Sequence, residues 1–379
     1  MHFYSLATAA IAALAAAVSA SPVADWGKGG SAAAAGAVFA MTNAVQNEIV
    51  AFSRAADGKL TQTGKYATQG NGIAVDFDTQ NGLILSHDNK FLYAANPASD
   101  DVTVFGVSGS LLKFLQRIPA GDQPLSITTN GKGLLYVMSG SVASNGLTGF
   151  EVQNDGTLVA IPKSTIGLSS PIAVPGGAQF SPDGKFIVVT HKVGSNLDIF
   201  KVGSNGLLRA PITISSAGLR PFAATFGADG HLLVIESGLP VLGNAAVSSY
   251  SVDATSGALL PVTRSEKNFQ TDGCWIEVTP NGKFAYTANF VSGTISSYYV
   301  ASSGAVTIKE NAAADLGPDS NVVDLAITPR GDFIYNLLRG TGAVAGWSIG
   351  ADGALTSVGT FGAKGDIPVA NGASGLAAY

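Results

Sequence analysis

The chain of 379 residues carries 21 Lys and Arg against 26 Asp and Glu, a net charge of −5 without any basic cluster. That balance argues against nucleic acid or an anionic membrane surface as a partner. Charged residues make up 12% of the chain and glycines number 47, where an average soluble protein is about 25% charged, so most of the chain is apolar strand and tight turn. Cys274 is the only cysteine, which excludes an intramolecular disulfide and leaves burial as the source of stability.

In chain order, Met1-His-Phe-Tyr is followed by an apolar stretch from Leu6 to Val18 and by Val18-Ser19-Ala20 before Ser21-Pro22. This reads as a secretory leader over 1–20, too short to span a bilayer and ending in small residues suited to cleavage after Ala20. The expected destination is extracellular, in the medium or the cell wall. Residues 21–36 read as a low-complexity spacer, with Trp26-Gly-Lys-Gly-Gly-Ser and an alanine run.

From residue 37 onward two kinds of turn alternate. The first comprises His87-Asp88-Asn89, Thr129-Asn130-Gly131, Pro182-Asp183-Gly184, Ala228-Asp229-Gly230, Pro280-Asn281-Gly282 and Pro329-Arg330-Gly331. The second centres on Gly58, Gly109, Gly156, Gly206, Gly257, Gly304 and Gly353, which fall 51, 47, 50, 51, 47 and 49 residues apart. Short β-branched and aromatic runs between such turns predict antiparallel hairpins. A period near 50 with four strands per unit predicts an all-β, seven-bladed β-propeller. The first unit lacks its inner strand, because Ala37-Val-Phe-Ala-Met-Thr-Asn43 matches the second strand of other units, such as Phe91–Asn96 and Phe284–Asn289. Residues 373–379 are therefore expected to supply that strand and close the ring. The blades read as 37–70 with 373–379, then 71–120, 121–172, 173–219, 220–271, 272–320 and 321–372. A closed ring has no unpaired edge, so a monomer is expected.

Loops from several blades converge where the inner strands begin, on the top face. His87 and His231 fall on the bottom face, while His191 lies on the top beside Lys192. The other polar top-face candidates are Arg220, Glu236, Asp272, Trp275, Asp324 and Arg339. Two arginines on one rim suit a substrate carboxylate, and a His or Glu there suits proton transfer. Trp275 also reads as a packing residue lining the channel and Lys192 as a solvated loop charge. There is no Gly-x-Ser-x-Gly, His-Glu-x-x-His, Walker loop or Asp-x-Asp-x-Asp-Gly run, so no cofactor and no metal are expected.

The repeats Ser181-Pro-Asp-Gly-Lys-Phe-Ile-Val-Val-Thr190 and Thr279-Pro-Asn-Gly-Lys-Phe-Ala-Tyr-Thr-Ala-Asn-Phe-Val-Ser-Gly-Thr-Ile-Ser-Ser-Tyr298 resemble those of the lactonase family of seven-bladed propellers. That family includes 6-phosphogluconolactonases and carboxymuconate-lactonizing enzymes, or carboxymuconate cyclases. The resemblance implies a His-Arg-Glu-Arg set on the top face. Arg220-Pro221-Phe222 looks like its first arginine and Glu236 stands near its glutamate. Gly177-Ala178-Gln179-Phe180 stands where its histidine would be, and Val322-Val323-Asp324 where its second arginine would be, with Arg339 on a different loop. The expectation is a secreted lactone hydrolase or lactonizing enzyme for a sugar acid or muconate-type carboxylate, with Glu236 and His191 catalytic and Arg220, Arg339, Asp272 and Trp275 binding substrate. The alternative is a non-catalytic extracellular propeller that binds a ligand or protein through its top face.

Overall fold

A computed structural model describes residues 35–362, 365–369 and 372–379; the expected leader and nearly all of the spacer lie outside them. The first strand begins at Gly36, one residue before the expected start of the propeller. Seven antiparallel sheets follow one another round a ring. In six of them the chain runs from an inner strand at the axis outward to the rim, as consecutive hairpins require. The inner strands are Leu83–Leu85, Pro124–Thr129, Pro175–Phe180, Pro221–Phe226, Gly273–Val278, Val322–Ile327 and Leu376–Ala378.

The last of these belongs to the first blade. It pairs with Gly36–Met41 through Val38↔Ala378, Phe39↔Ala377 and Ala40↔Leu376, and the Arg54 guanidinium donates to the Tyr379 carbonyl at 3.0 Å. The two ends of the propeller thus meet in one sheet. The third blade departs from four strands, because its outer strand is split into Leu158–Ala160 and Ile166–Gly167. Pro162 lies in the gap and has no N–H to continue the ladder.

Second strands such as Phe186–His191, Phe284–Asn289 and Phe333–Leu338 are buried along their whole length. Both faces of each blade pack on neighbours, so these strands read as continuous apolar runs. Outer strands face water on one side and alternate, as Leu60–Ala67 does.

The second set of turns explains itself at the seams between blades. The Tyr335 hydroxyl donates to the Gly58 carbonyl of the next blade at 2.6 Å, and Tyr93, Tyr136 and Tyr286 make the same bond to Gly156, Gly206 and Gly353. Tyr379 does so to Gly109 at 2.8 Å. Burial pushes these phenols well above their ordinary range, Tyr136 up to about 12, so they remain donors. A ring packs under several of these glycines; a Cβ on Gly58 would sit 2.3 Å from Phe333 Cε1.

This separates two costs of replacing a glycine. Gly58 and Gly230 share a left-handed backbone, with φ of +85° and +87°, yet a Cβ on Gly230 meets nothing within 4 Å. Gly230→Ala should cost about 1 kcal/mol from backbone strain alone. Gly58→Ala should cost at least about 2 kcal/mol more from the displaced Phe333. Tyr335→Phe should cost about 1 kcal/mol by stranding the Gly58 carbonyl. Urea midpoints of the three variants test this; equal losses for the two glycine variants would remove the seam as the cause.

Candidate functional site

Five inner strands begin with the same backbone device. The residue just before them is left-handed: Gln123 at φ 55°, Val174 at 44°, Arg220 at 55°, Asp272 at 60° and Asn321 at 45°. Its carbonyl accepts the N–H of the residue that follows the second strand, as Gly140 to Gln123, Lys192 to Val174, Ser237 to Arg220, Phe290 to Asp272 and Arg339 to Asn321. A register shift follows within the next residues of each inner strand. A bulge of this kind re-aims a side chain at the end of a sheet. Arg220 and Asp272 therefore hold one repeat position in adjacent blades, and they are the two charged residues among these five.

Arg220 is partly buried; its Nε is enclosed and has no hydrogen-bond acceptor among the described residues. Burial pushes the Asp272 carboxyl above its ordinary range, while the Cys274 thiol that bonds it and the nearby Arg220 charge pull it back. The Cys274 thiol is itself raised by burial and by Asp272, so it stays protonated. Trp275 is 2% exposed, packs on Phe222 with ring centroids 5.1 Å apart, and donates Nε1 to the Thr79 carbonyl at 3.3 Å. It is a wall of the channel.

Thr79 belongs to a segment that sequence reading passed over. Residues 68–82, between the outer strand of the first blade and the inner strand of the second, cross the mouth of the ring. Gln80 N–H donates to Gly176 in the fourth blade. Its side-chain amide pairs with both backbone groups of Ile276 in the sixth, at 3.0 and 3.1 Å. Asp78 accepts from Lys192 in the fourth blade and Asp76 from Arg339 in the seventh, each at 2.5 Å. Lys192 is thus no solvated charge: it is 6% exposed and lies 4.6 Å over the Phe222 ring. Arg339 stacks on Phe290 at the same distance. A small cavity of about 160 Å³ remains beside the strap, lined by Asp76, Asp78, Gln123, Val174 and Lys192 among others. Wider crevices of about 300 and 540 Å³ open between blades on the bottom face. They are lined by turns whose charges pair locally, as Lys185 with Asp183 and Lys90 with Asp88.

The two residues expected to move protons are placed inside blades instead of on the open rim. His191 ends the second strand of the fourth blade and is fully buried. Its Nε2 lies 3.0 Å from Asp198 Oδ2, poorly aligned for a hydrogen bond, and Nδ1 has no partner among the described residues. Burial raises the Asp198 carboxyl, but the adjacent His191 ring and the bonds from Thr213 and the Ser169 N–H outweigh it and leave it low. Glu236 ends the second strand of the fifth blade, 1% exposed, and accepts from Ser248 and Ser265 at 2.6 Å each. Burial raises its carboxyl and the two hydroxyls oppose the shift. Both residues hold the position of Asn96 and Asn289, which bond Thr103 and Ser296 on the third strand at 2.9 Å. In these four blades the position is a polar clip between strands, filled by Asn, His or Glu.

Asp324 also faces inward. It accepts from Ser374 at 2.9 Å and from the Gly375 N–H at 2.8 Å, tying the seventh blade to the closing strand. Burial pushes its carboxyl up to about 6, and that of Glu277, at a channel cavity of about 180 Å³, up to about 8, Asp324 being its second cause. A carboxyl raised on folding favours the folded state only while protonated. Stability is therefore full below the ordinary carboxylate range and falls as pH rises through the raised values. Glu277→Gln removes the larger shift, so its unfolding midpoint should fall less than the wild type's between about pH 5 and about pH 9. Parallel midpoint-against-pH curves for the two proteins would count against an enclosed Glu277.

The profile of the lactonase, seven-bladed beta-propeller family matches residues 33–176 and 236–322. The chain belongs to that family. A 6-phosphogluconolactonase of Serratia proteamaculans is 24% identical over 221 residues, 57% of this chain and 62% of its own length. The chain thus matches less than two thirds of that relative. A candidate 6-phosphogluconolactonase of Bacteroides uniformis superposes with a TM-score of 0.71 at 20% identity, over 90% of this chain and 99% of that one. The periplasmic gluconolactonase of Pseudomonas aeruginosa superposes with a TM-score of 0.65 at 14% identity, over 90% and 98%. At these identities the two structures speak for the fold.

Proposed function

We propose that the protein is a lactone hydrolase acting on a small anionic sugar-acid lactone, with its reaction centre where the fifth and sixth inner strands begin. The observation that carries the proposal is the nearness of Arg220, whose enclosed Nε lacks an acceptor among the described residues, to Asp272, whose carboxyl feels the Arg220 charge and is made more basic by burial. An unfilled buried donor beside a perturbed carboxylate is the pattern of a site awaiting a ligand. The family's hydrolytic members and the named gluconolactonases supply the substrate class.

In the proposed step the Asp272 carboxylate takes a proton from water, and the resulting hydroxide attacks the lactone carbonyl carbon. Arg220 hydrogen-bonds the carbonyl oxygen as it gains charge. The tetrahedral intermediate collapses by breaking the ring C–O bond, and the ring oxygen leaves as a hydroxyl by taking the proton held on Asp272. Glu236 and His191 keep structural parts in this scheme, since neither reaches solvent. Asp272 thus takes the role the sequence had suggested for them.

A second reading is favoured by one observation. Arg339 and Lys192 already hold carboxylates of the chain itself, an arrangement that suits a propeller which binds an anion without transforming it. Export through the leader over 1–20 belongs with either reading, and N-terminal sequencing of the secreted protein should begin at Ser21.

Hydrolysis of gluconolactone and its 6-phosphate by purified protein, followed by acid release, tests the scheme. Arg220→Ala and Asp272→Asn should each lower kcat/KM by about 100-fold or more, while Glu236→Gln should act chiefly on stability. Full turnover in Asp272→Asn would remove it as the base. No turnover by the wild type on either lactone would leave the binding reading.

A further inference from the structure

The strap over the mouth of the ring carries two carboxylates in an unusual exchange of exposure. The Arg339 side chain is 13% exposed while its partner Asp76 is 53% exposed; the Lys192 side chain is 2% exposed while its partner Asp78 is 37% exposed. The cations are fixed parts of the blades, each laid over an aromatic ring, Phe290 and Phe222. The anions come from the water side on a segment between blades. An exposed carboxylate exchanges water for its partner at little net gain, whereas a buried ammonium left without any anion is costly. The cations therefore need an anion, and the source of that anion is weakly specified.

Two further observations place the strap's grip elsewhere than at its carboxylates. Phe77, between the two aspartates, is 2% exposed, and Gln80 is 5% exposed with its amide on Ile276. Val75 beside them is 60% exposed. Rotation of the Asp76 side chain thus frees Arg339, and rotation of the Asp78 side chain leaves Lys192 on the Asp78 main-chain carbonyl at 2.5 Å without its carboxylate, neither unseating the segment. Arg220, with its unfilled Nε, belongs to the fifth blade of the same ring, between the Lys192 blade and the Arg339 blade in chain order.

We infer that Asp76 and Asp78 are a built-in competing ligand: they occupy the two cationic seats of the top face, and a small anion binds there only by exchange for them. The strap then sets the affinity of the site, holding it low for any anion too weak to replace a carboxylate. This rests on the reading of the top face as an anion site and requires no turnover.

Inorganic phosphate is the probe, and its binding heat at low ionic strength is the measurement, taken alongside the thermal midpoint of each protein. Asp76→Asn and Asp78→Asn should each tighten phosphate binding, and D76N/D78N should do so by about tenfold or more, the size expected for coupled sites. Adding Arg339→Gln to the double variant should return the affinity to the wild-type level or below it. Equal phosphate affinity in the wild type and in both single variants would overturn the inference, as would a gain that survives Arg339→Gln together with Lys192→Met. The single variants keep the test open should the double variant not fold. Because binding is read and not hydrolysis, an inactive protein that shows the exchange would fail the hydrolase reading alone.

Discussion

Every blade must seat on the next, and at five of the seven seams a glycine carbonyl receives a tyrosine hydroxyl, with an aromatic ring filling the space of the missing Cβ at three of the five. The glycine is needed twice, once for its positive φ and once for its empty side. Since the ring closes on itself, an error in seating cannot be relaxed at a free edge, and the seams are held or lost together. The closing strand is bound by the same logic: Tyr379 serves the seam to the second blade, and its carbonyl takes the Arg54 guanidinium.

Fixing the bottom turns and the seams leaves the top loops as the place where units differ. The left-handed residue before the inner strand is shared by blades that have nothing else in common there, with Gln, Val, Arg, Asp and Asn at the same point. The scaffold supplies a strained, bulged backbone that aims a side chain at the mouth, and the side chain alone decides what is presented. Strain at Arg220 or Asp272 is therefore no sign of function by itself. What distinguishes these two is chemistry: opposite charges in adjacent blades, one with an unfilled donor and the other with a carboxyl raised by burial.

This division accounts for what could be read from the chain. The turn glycines and their spacing near 50 were legible because a tight hairpin restricts residue type locally. The missing inner strand of the first blade was legible by subtraction from that repeat. His191 and Glu236 were misplaced on the rim because a polar residue at the top of a strand has the same local pattern whether it points to water or into the blade. A signal was present: His191 follows Gly184 by seven residues as Asn289 follows Gly282, so the histidine holds a position where the sixth blade carries a buried amide. The strap gave no periodic pattern at all. Its mark was length, since residues 68–82 are far longer than the link at 216–220 or at 268–272, and long links in compact folds are commonly functional.

The electrostatics of the mouth follow from which member of each pair is buried. In Glu236 with its serines, and in His191 with Asp198, both partners lie inside a blade; no solvent ion can reach them, and they act as fixed clips. In Lys192 with Asp78 and Arg339 with Asp76, the cation is enclosed and the anion meets water. Desolvation of the cation is already committed when the blades assemble, so any anion that arrives meets a charge whose burial cost lies in the past. A net charge of −5 on the whole chain sets a modest long-range barrier to such anions, screened within about 8 Å at physiological ionic strength. Selectivity at the top face then depends on contacts made inside that distance, where Arg220 offers a donor that no group among the described residues satisfies.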